Sequence, residues 1–346
     1  MKQLIILIII FFSGCLKQNG SVIKNEMILF YPTLDSVRDI ELISDTLYVA
    51  NGSEGLKILK LNLDDTESIE SIYEGPIFTG EQDIIGINIT QNSQLLFVLD
   101  KFKYTYVGSI NFFTGLFGLE NIACDEYQSK LTIIEDNENT EILTIYRHLD
   151  TVNETQPYTA SIDKVEIEQI PGLDLYNKNC LGSSLDSLNY DLFDIHYFNG
   201  ILYLANPNFS IPSIQIYTQN IDDNFELVRE DTLLAYPKTV RGYESAYVVG
   251  LDNDAGCYIA LLDTEGVVIS KFTMFDGYTI RDIHYSQGLL LFSAGYDGVL
   301  VCKWDGEGEP IPYAIISSSY AYSALVYNEN KIIIGTKNGI EIYKID

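Results

Sequence analysis

The sequence predicts an all-β chain, a seven-bladed β-propeller of four-stranded blades whose last blade is closed by an N-terminal strand. Three observations carry this. Short runs rich in Tyr, Ile, Val and Leu recur along the chain, as strands prefer. Gly, Asn and Asp mark the turns between them, as in "NGSEG" and "GYDG". One unit is written almost twice, "SVRDIELISDTLYVANGSEGLKILKLNLDD" from Ser36 and "TIRDIHYSQGLLLFSAGYDGVLVCKWDGEG" from Thr279.

The ruler is an apolar burst starting at Leu56, Val107, Ile142, Ile214, Tyr258, Val299 and Ile340, so successive starts differ by 51, 35, 72, 44, 41 and 41 residues. A period near forty with four short strands signals a propeller blade. No single blade buries both its faces, so the units stack until a ring closes. Almost no segment carries a sustained helical stripe, which excludes helical solenoids. A second burst precedes each ruler strand, "TLYVA" at Thr46, "LLFVL" at Leu95, "LTIIE" at Leu131, "ILYLA" at Ile201, "SAYVVG" at Ser245, "LLLFSA" at Leu289 and "KIIIG" at Lys331. An innermost strand comes before that pair: "VRDIEL", "IIGINI", "LENIAC" at Leu119, "LFDIHY", the blurred "VRGYES", "IRDIHY" and "YSALVY". An outer strand follows most units. The last unit lacks one, and "EMILFYP" from Glu26 to Pro32 is a lone strand before the first, so the two are expected to pair and remove a seam. The 72-residue gap holds one clear strand, "DKVEIEQI", and then loop-like sequence, read as a long excursion at about 150–191.

The first fifteen residues, "MKQLIILIIIFFSGC", stand apart. One Lys precedes an apolar run too short to span a bilayer, the form of a signal peptide. Ser13-Gly14-Cys15 resembles the lipobox of bacterial lipoproteins, which implies cleavage after residue 14 and acylation of Cys15. The expected layout is a leader at 1–14, a tether at 15–25 and one propeller domain at 26–346. Several acyl chains on one residue anchor a protein stably. Leu16 in place of Asp after that Cys favours the outer membrane over the inner where a cell has both.

The formal net charge is -28, so the body repels nucleic acid and anionic lipid at long range. With 47% hydrophobic residues, 25 Tyr and 16 Phe it nevertheless has ample material for a core. Cys124, Cys180, Cys257 and Cys302 show no metal-binding spacing and are expected as free buried thiols, with one bridge as the alternative.

The units resemble the LVIVD repeat, a propeller-forming repeat. "GLKILKL" at Gly55, "GVLVCKW" at Gly298 and "GIEIYKI" at Gly339 match its strand, although Lys60, Lys303 and Lys344 replace its terminal Asp. The resemblance covers roughly Val37 to Asp346, poorly from Thr105 to Asp191. It implies the fold and an exported or surface location, and no assigned chemistry.

Asp39, Asp194 and Asp282 occupy one column of the repeat, with Gly86 and Asn121 placed in it from other blades. There they either tie blade to blade, with Arg38 and Arg281 as neighbouring partners, or ring the central channel. His196 and His284 share the next column, two residues on and so on the same strand face. Packing is the expected use of both. Should the chain be a hydrolase or lyase, these three Asp and two His are its acids and bases. No GxSxG, HExxH, P-loop or dinucleotide fingerprint is present, and a single Trp argues against quinoprotein propellers. No cofactor is expected. The acidic turns "NLDDTE", "EDNENTE", "NIDDN" and "GLDNDAG" fit no twelve-residue Ca²⁺ loop and leave only a weak Ca²⁺ site as an alternative to solvated turns. The leading expectation is a noncatalytic module on the cell envelope. It would present a propeller face to a protein, peptide or glycan, with Arg38, Arg281, Tyr158, Tyr176, Tyr190 and Phe209 as binding residues, the four aromatics as exposed anchors. A purely structural subunit of an envelope assembly is the remaining alternative.

Overall fold

The computed structural model describes residues 25–345 apart from 65, 78–80, 91–94, 102–104, 110–119, 122–127, 136–139, 150–157, 170–175, 190–191, 207, 209 and 221–223. Seven four-stranded antiparallel sheets make the seven expected blades. Their innermost strands are Asp39–Ile43, Ile84–Ile89, Gln128–Glu135, Asp194–Phe198, Pro237–Tyr243, Asp282–Ser286 and Ala321–Asn328, in blades one to seven.

Burial follows position within each blade. Second strands such as Leu95–Asp100, Ala246–Leu251 and Leu289–Ser293 are buried at every residue. Neighbouring blades cover both of their faces, which is why they read as continuous apolar runs rather than alternating ones. Outer strands alternate instead, as Val268–Met274 does between half-buried and exposed. Seven apolar clusters fill the seven blade interfaces. A register shift between the third and outer strands recurs in blades one, four, five and six, adding local twist at the rim.

The ring closes as expected. Asn25–Pro32 runs antiparallel to Gly339–Ile345 as the outer strand of blade seven. One recurring glycine shows that this strand takes the place of an ordinary fourth strand. Gly55, Gly256, Gly298 and Gly339 open the third strands at positive φ. A methyl group there would overlap the carbonyl oxygens of Gly75, Met274, Ile316 and Tyr31, each on or beside the outer strand of its blade. Tyr31 of the N-terminal strand stands where, in the other three of these blades, a residue shortly after the glycine in the chain stands.

Two expectations need correction around the third blade. "LENIAC" is not an innermost strand. Glu120–Asn121 is the short outer strand of blade two, so Asn121 does not belong to the Asp column. The innermost strand of blade three is Gln128–Glu135, which holds the expected second burst. The next strands are Thr140–Leu149, Tyr158–Gln169 and Tyr176–Asn189. The sequence expected as a loop-like excursion therefore includes a 14-residue outer strand paired to "DKVEIEQI". Its Gly, Ser and Asn content hid it, because an exposed rim strand needs no apolar face.

Cys257 and Cys302 are free and buried, as expected. Cys180 is disulfide-bonded, so the single-bridge alternative holds for it. Cys15 and Cys124 lie outside the described residues.

Candidate functional site: the central channel and its mouth

Successive side chains of a strand point to opposite faces, so residues two apart on an innermost strand share an orientation. Register places Asp39 opposite Ala50, Asp194 opposite Ala205, Thr239 opposite Gly250, Asp282 opposite Ser293 and Ser323 opposite Gly335. These form an upper level of the channel wall. Two residues on come Glu41, His196, Arg241 and His284. Asp39, Glu41, Gly86, Asn88, Lys130, Thr132, Asp194, His196, Arg241, Asp282 and His284 line one cavity of about 190 Å³.

Asp194, 2% exposed, is the best satisfied of the carboxylates. Its Oδ2 accepts from Arg241 Nη1 at 2.6 Å, the Thr239 hydroxyl at 2.9 Å and the Val240 amide at 3.0 Å. Lys130 Nζ stands 3.8 Å from its Oδ1. The other arm of Arg241 donates to Asp282 Oδ1 at 3.2 Å. One guanidinium from blade five thus holds the carboxylates of blades four and six. The same outreach to the following blade recurs elsewhere. Asp39 Oδ2 accepts the Ile87 amide at 3.0 Å, His196 Nδ1 accepts the Gly242 amide at 3.0 Å, and the Thr132 hydroxyl accepts the Tyr197 amide at 2.9 Å. His196, accepting at Nδ1, carries its proton on Nε2 when neutral. His284 Nε2 is buried without a hydrogen-bond partner.

These groups touch channel space the size of a few waters yet are surrounded by protein, and their titration follows. Burial pushes the Asp194 carboxyl up, but Arg241, Lys130 and the two hydrogen bonds outweigh it and hold it below its ordinary value. No such partner rescues the other side of the channel. Burial and then the Asp282 charge push Asp39 up to about 6. Burial, then Asp39 and Asp282, push Glu41 up to about 8. Burial, then Arg241, push His196 down to about 3 and His284 down to about 4. Near neutral pH both imidazoles are uncharged and Glu41 holds its proton. Among the described residues, no three His, Cys, Asp or Glu side chains are gathered to hold a metal ion.

The five sequence-selected acids and bases therefore do converge, on one cavity. Sequence reasoning missed Arg241, the group that connects them. It also paired the wrong arginines. Arg38 and Arg281 directly precede Asp39 and Asp282, and strand alternation turns them away from those carboxylates. Their guanidinium carbons lie over tyrosine rings instead, Arg38 5.1 Å from the Tyr322 centroid and Arg281 5.5 Å from that of Tyr320. Tyr320 in turn meets Tyr296 and Tyr322 at ring separations of 4.6 Å each. In each antiparallel blade, the lead into the innermost strand and the turn between the second and third strands lie at one end. This cluster is therefore at the end of the channel where the Asp level sits, the channel mouth.

Of the expected aromatic anchors, Tyr176 is 6% exposed and packs between blades two and three, because its strand joins the sheet rather than a free loop. The side chain of Tyr158, with Tyr190 and Phe209, lies outside the described residues.

No family model matches the chain, and no curated protein matches its sequence. Solved structures do match its shape. The computationally designed Ika8 protein superposes with a TM-score of 0.58 at 9% identity, over 93% of this chain and 100% of the other. The AfRom2 CNH domain gives 0.60 at 10% identity, over 93% and 99%. A chain of a mitotic checkpoint complex gives 0.63 at 9% identity, over 96% and 95%. At such identities the likeness shows the propeller fold alone.

Proposed function

We propose that this chain is a noncatalytic binding module, exported and anchored by acylated Cys15, that presents the mouth face of its propeller to a partner on the cell envelope. The observation that supports this most is where the polar groups of the channel are engaged. Asp194, Asp39 and His196 each bind the backbone of the following blade, and Arg241 joins Asp194 to Asp282. Side chains tied in this way hold the ring together. A general acid or base must instead be free to reach a substrate proton. At the mouth, aromatic and cationic side chains from three blades gather, and two of them, Arg281 and Tyr296, are exposed, Tyr296 to 76%. The leader at 1–14, followed by Cys15, and the resemblance to the LVIVD repeat support export and a surface setting.

The test is an affinity capture from detergent-solubilised envelope by the full-length acylated protein, beside a triple variant Arg38→Gln/Arg281→Gln/Tyr296→Ala with its fold checked by urea denaturation. Retention of a saturable partner by the parent and its loss by the variant is the expected result. Equal capture by both removes the mouth face from the account.

One observation favours a second reading, a hydrolase or lyase. Glu41, protonated near neutral pH, shares the cavity with the unpartnered His284 Nε2. Turnover of a glycoside or ester panel that is abolished by Glu41→Gln would establish it.

A further inference from the structure

The charges of the mouth cluster point to its ligand. The chain has five arginines against a net charge of -28. Four have described side chains. Arg229 forms a two-pronged pair with Asp231, at 2.8 and 3.0 Å, and Arg241 is held between Asp194 and Asp282. Arg38 and Arg281 make no ion pair and no side-chain hydrogen bond with any described residue, and Arg38 Nε is buried without a partner. Carboxylates are near enough to feel them, yet are engaged elsewhere. Asp35 accepts from the amides of Ser36 and Ser53 and from the Ser53 hydroxyl, and Asp252 is paired to Lys238 at 3.0 Å. Two guanidinium groups are thus left facing tyrosine rings, with donors that no described protein group takes up. An arginine fork matches a carboxylate, and stacking on an aromatic ring fixes its plane in advance.

The mouth is also built differently where the repeat is otherwise faithful. The turns Asn51–Gly55 and Ala294–Gly298 close with the same backbone bonds, Asn51 N–H to Gly55 O at 2.9 Å and Ala294 N–H to Gly298 O at 2.8 Å. Each turn bridges to the lead of the next blade, Gly52 to Ile84 and Gly295 to Ala321. The first turn carries Ser53, whose amide and hydroxyl are taken up by Asp35. The second carries Tyr296 at the same position, exposed and set edge-on to Tyr320. Beneath it Gly295 has φ 59°, and a Cβ there would stand 3.1 Å from Arg281 Nε and 3.3 Å from the Tyr320 ring. The backbone itself makes room for the cluster.

We infer that Arg38, Arg281, Tyr296, Tyr320 and Tyr322 form a binding site for an acidic sugar unit, a pyranose carrying a carboxylate at the end of a short glycan. The exposed Tyr296 ring takes the apolar face of the pyranose, and the guanidinium groups take its carboxylate. The large negative charge of the whole body disfavours dense polyanions, so the fit is to a unit with one carboxylate in otherwise neutral surroundings. This rests on the binding-module reading and assigns the ligand class of the same face.

Calorimetric titration of the full-length protein in detergent tests it with three probes: a trisaccharide ending in glucuronate, its counterpart ending in glucose, and a neutral tripeptide with a free C-terminal carboxylate. The glucuronate probe is expected to bind at least tenfold more tightly than the other two. Arg38→Gln/Arg281→Gln is expected to erase the difference between the two sugars. Tyr296→Ala is expected to weaken both sugars together, and Glu41→Gln in the channel to change neither. Equal binding of both sugars, tighter binding of the peptide, or unchanged binding in the double arginine variant overturns the inference. Should glucuronate fail while the envelope capture above still depends on the mouth residues, the ligand class is wrong and the binding face stands. Failure of both removes the face as well.

Discussion

Arg241 and Arg281 belong to adjacent blades, and their surroundings could hardly differ more. Arg241 lies inside the channel between two carboxylates and donates to both. Arg281 lies at the mouth, over a tyrosine ring and without an ion pair among the described residues. The first arginine is fully occupied by the protein, while the second retains donors for something else. The contrast separates a structural region from a binding region within one ring of nearly equal repeats.

Breaking the channel side is expected to have the largest effect. Arg241→Met leaves Asp194 and Asp282 facing one another without compensation, and removal of one partner from a buried pair typically costs about 3–5 kcal/mol. Urea denaturation followed by circular dichroism measures it. A loss below about 1 kcal/mol would show that the pair is not what joins blades four to six.

The unrescued side of the channel gives a prediction of opposite sign. Glu41 has a raised folded pKa, so its contribution is fully present below its unfolded value near 4.5 and is lost as pH rises toward about 8. Glu41→Gln is therefore expected to raise the urea midpoint at about pH 8 and to leave it unchanged at about pH 4. Asp194 runs the other way. Its folded pKa is depressed, so its stabilisation is present above the ordinary carboxylate range and fails as pH falls through the depressed value. Removing Asp194 as Asp194→Asn costs most at neutral pH and least in acid.

A smaller loss is expected from His196→Leu, which strands the Gly242 amide at the interface of blades four and five. An unsatisfied buried donor costs about 1–3 kcal/mol, and the loss should be constant above about pH 7.5 and shrink as pH falls below the unfolded imidazole's value of 6.5, where the unfolded chain takes up a proton that burial denies the folded one. Smallest of all is Arg281→Gln. An exposed cation–π contact is worth about 0.5–1 kcal/mol, so the urea midpoint should scarcely move while ligand capture falls. A large loss of stability in this variant would place Arg281 in the structural region after all.

The ring was legible in the sequence because its signal is repeated. Second strands are apolar on both faces, four third strands open with a glycine at positive φ, and "EMILFYP" fits a blade lacking its fourth strand. Blade three was illegible for a local reason. The outer strand of blade two is only Glu120–Asn121, and "LENIAC" around it imitates an innermost strand. That displaced every later assignment up to Asn189. Asp39, Asp194, Asp282, His196 and His284 could be found by alignment of the units alone. Arg241 could not, because "VRGYES" replaces the Asp-x-His pattern with Thr239 and Arg241, and a cation that completes an acidic column looks like noise in a repeat. Arg38 and Arg281 were visible but given the wrong partners, since residues adjacent in sequence were paired although a strand turns them apart.

The most direct measurement compares two full-length variants side by side in the envelope capture. Glu41→Gln/His284→Asn alters the channel, and Arg38→Gln/Arg281→Gln alters the mouth. Capture retained by the channel variant and lost by the mouth variant is the predicted result. Capture lost by the channel variant and retained by the mouth variant would contradict the account and place the working site inside the ring.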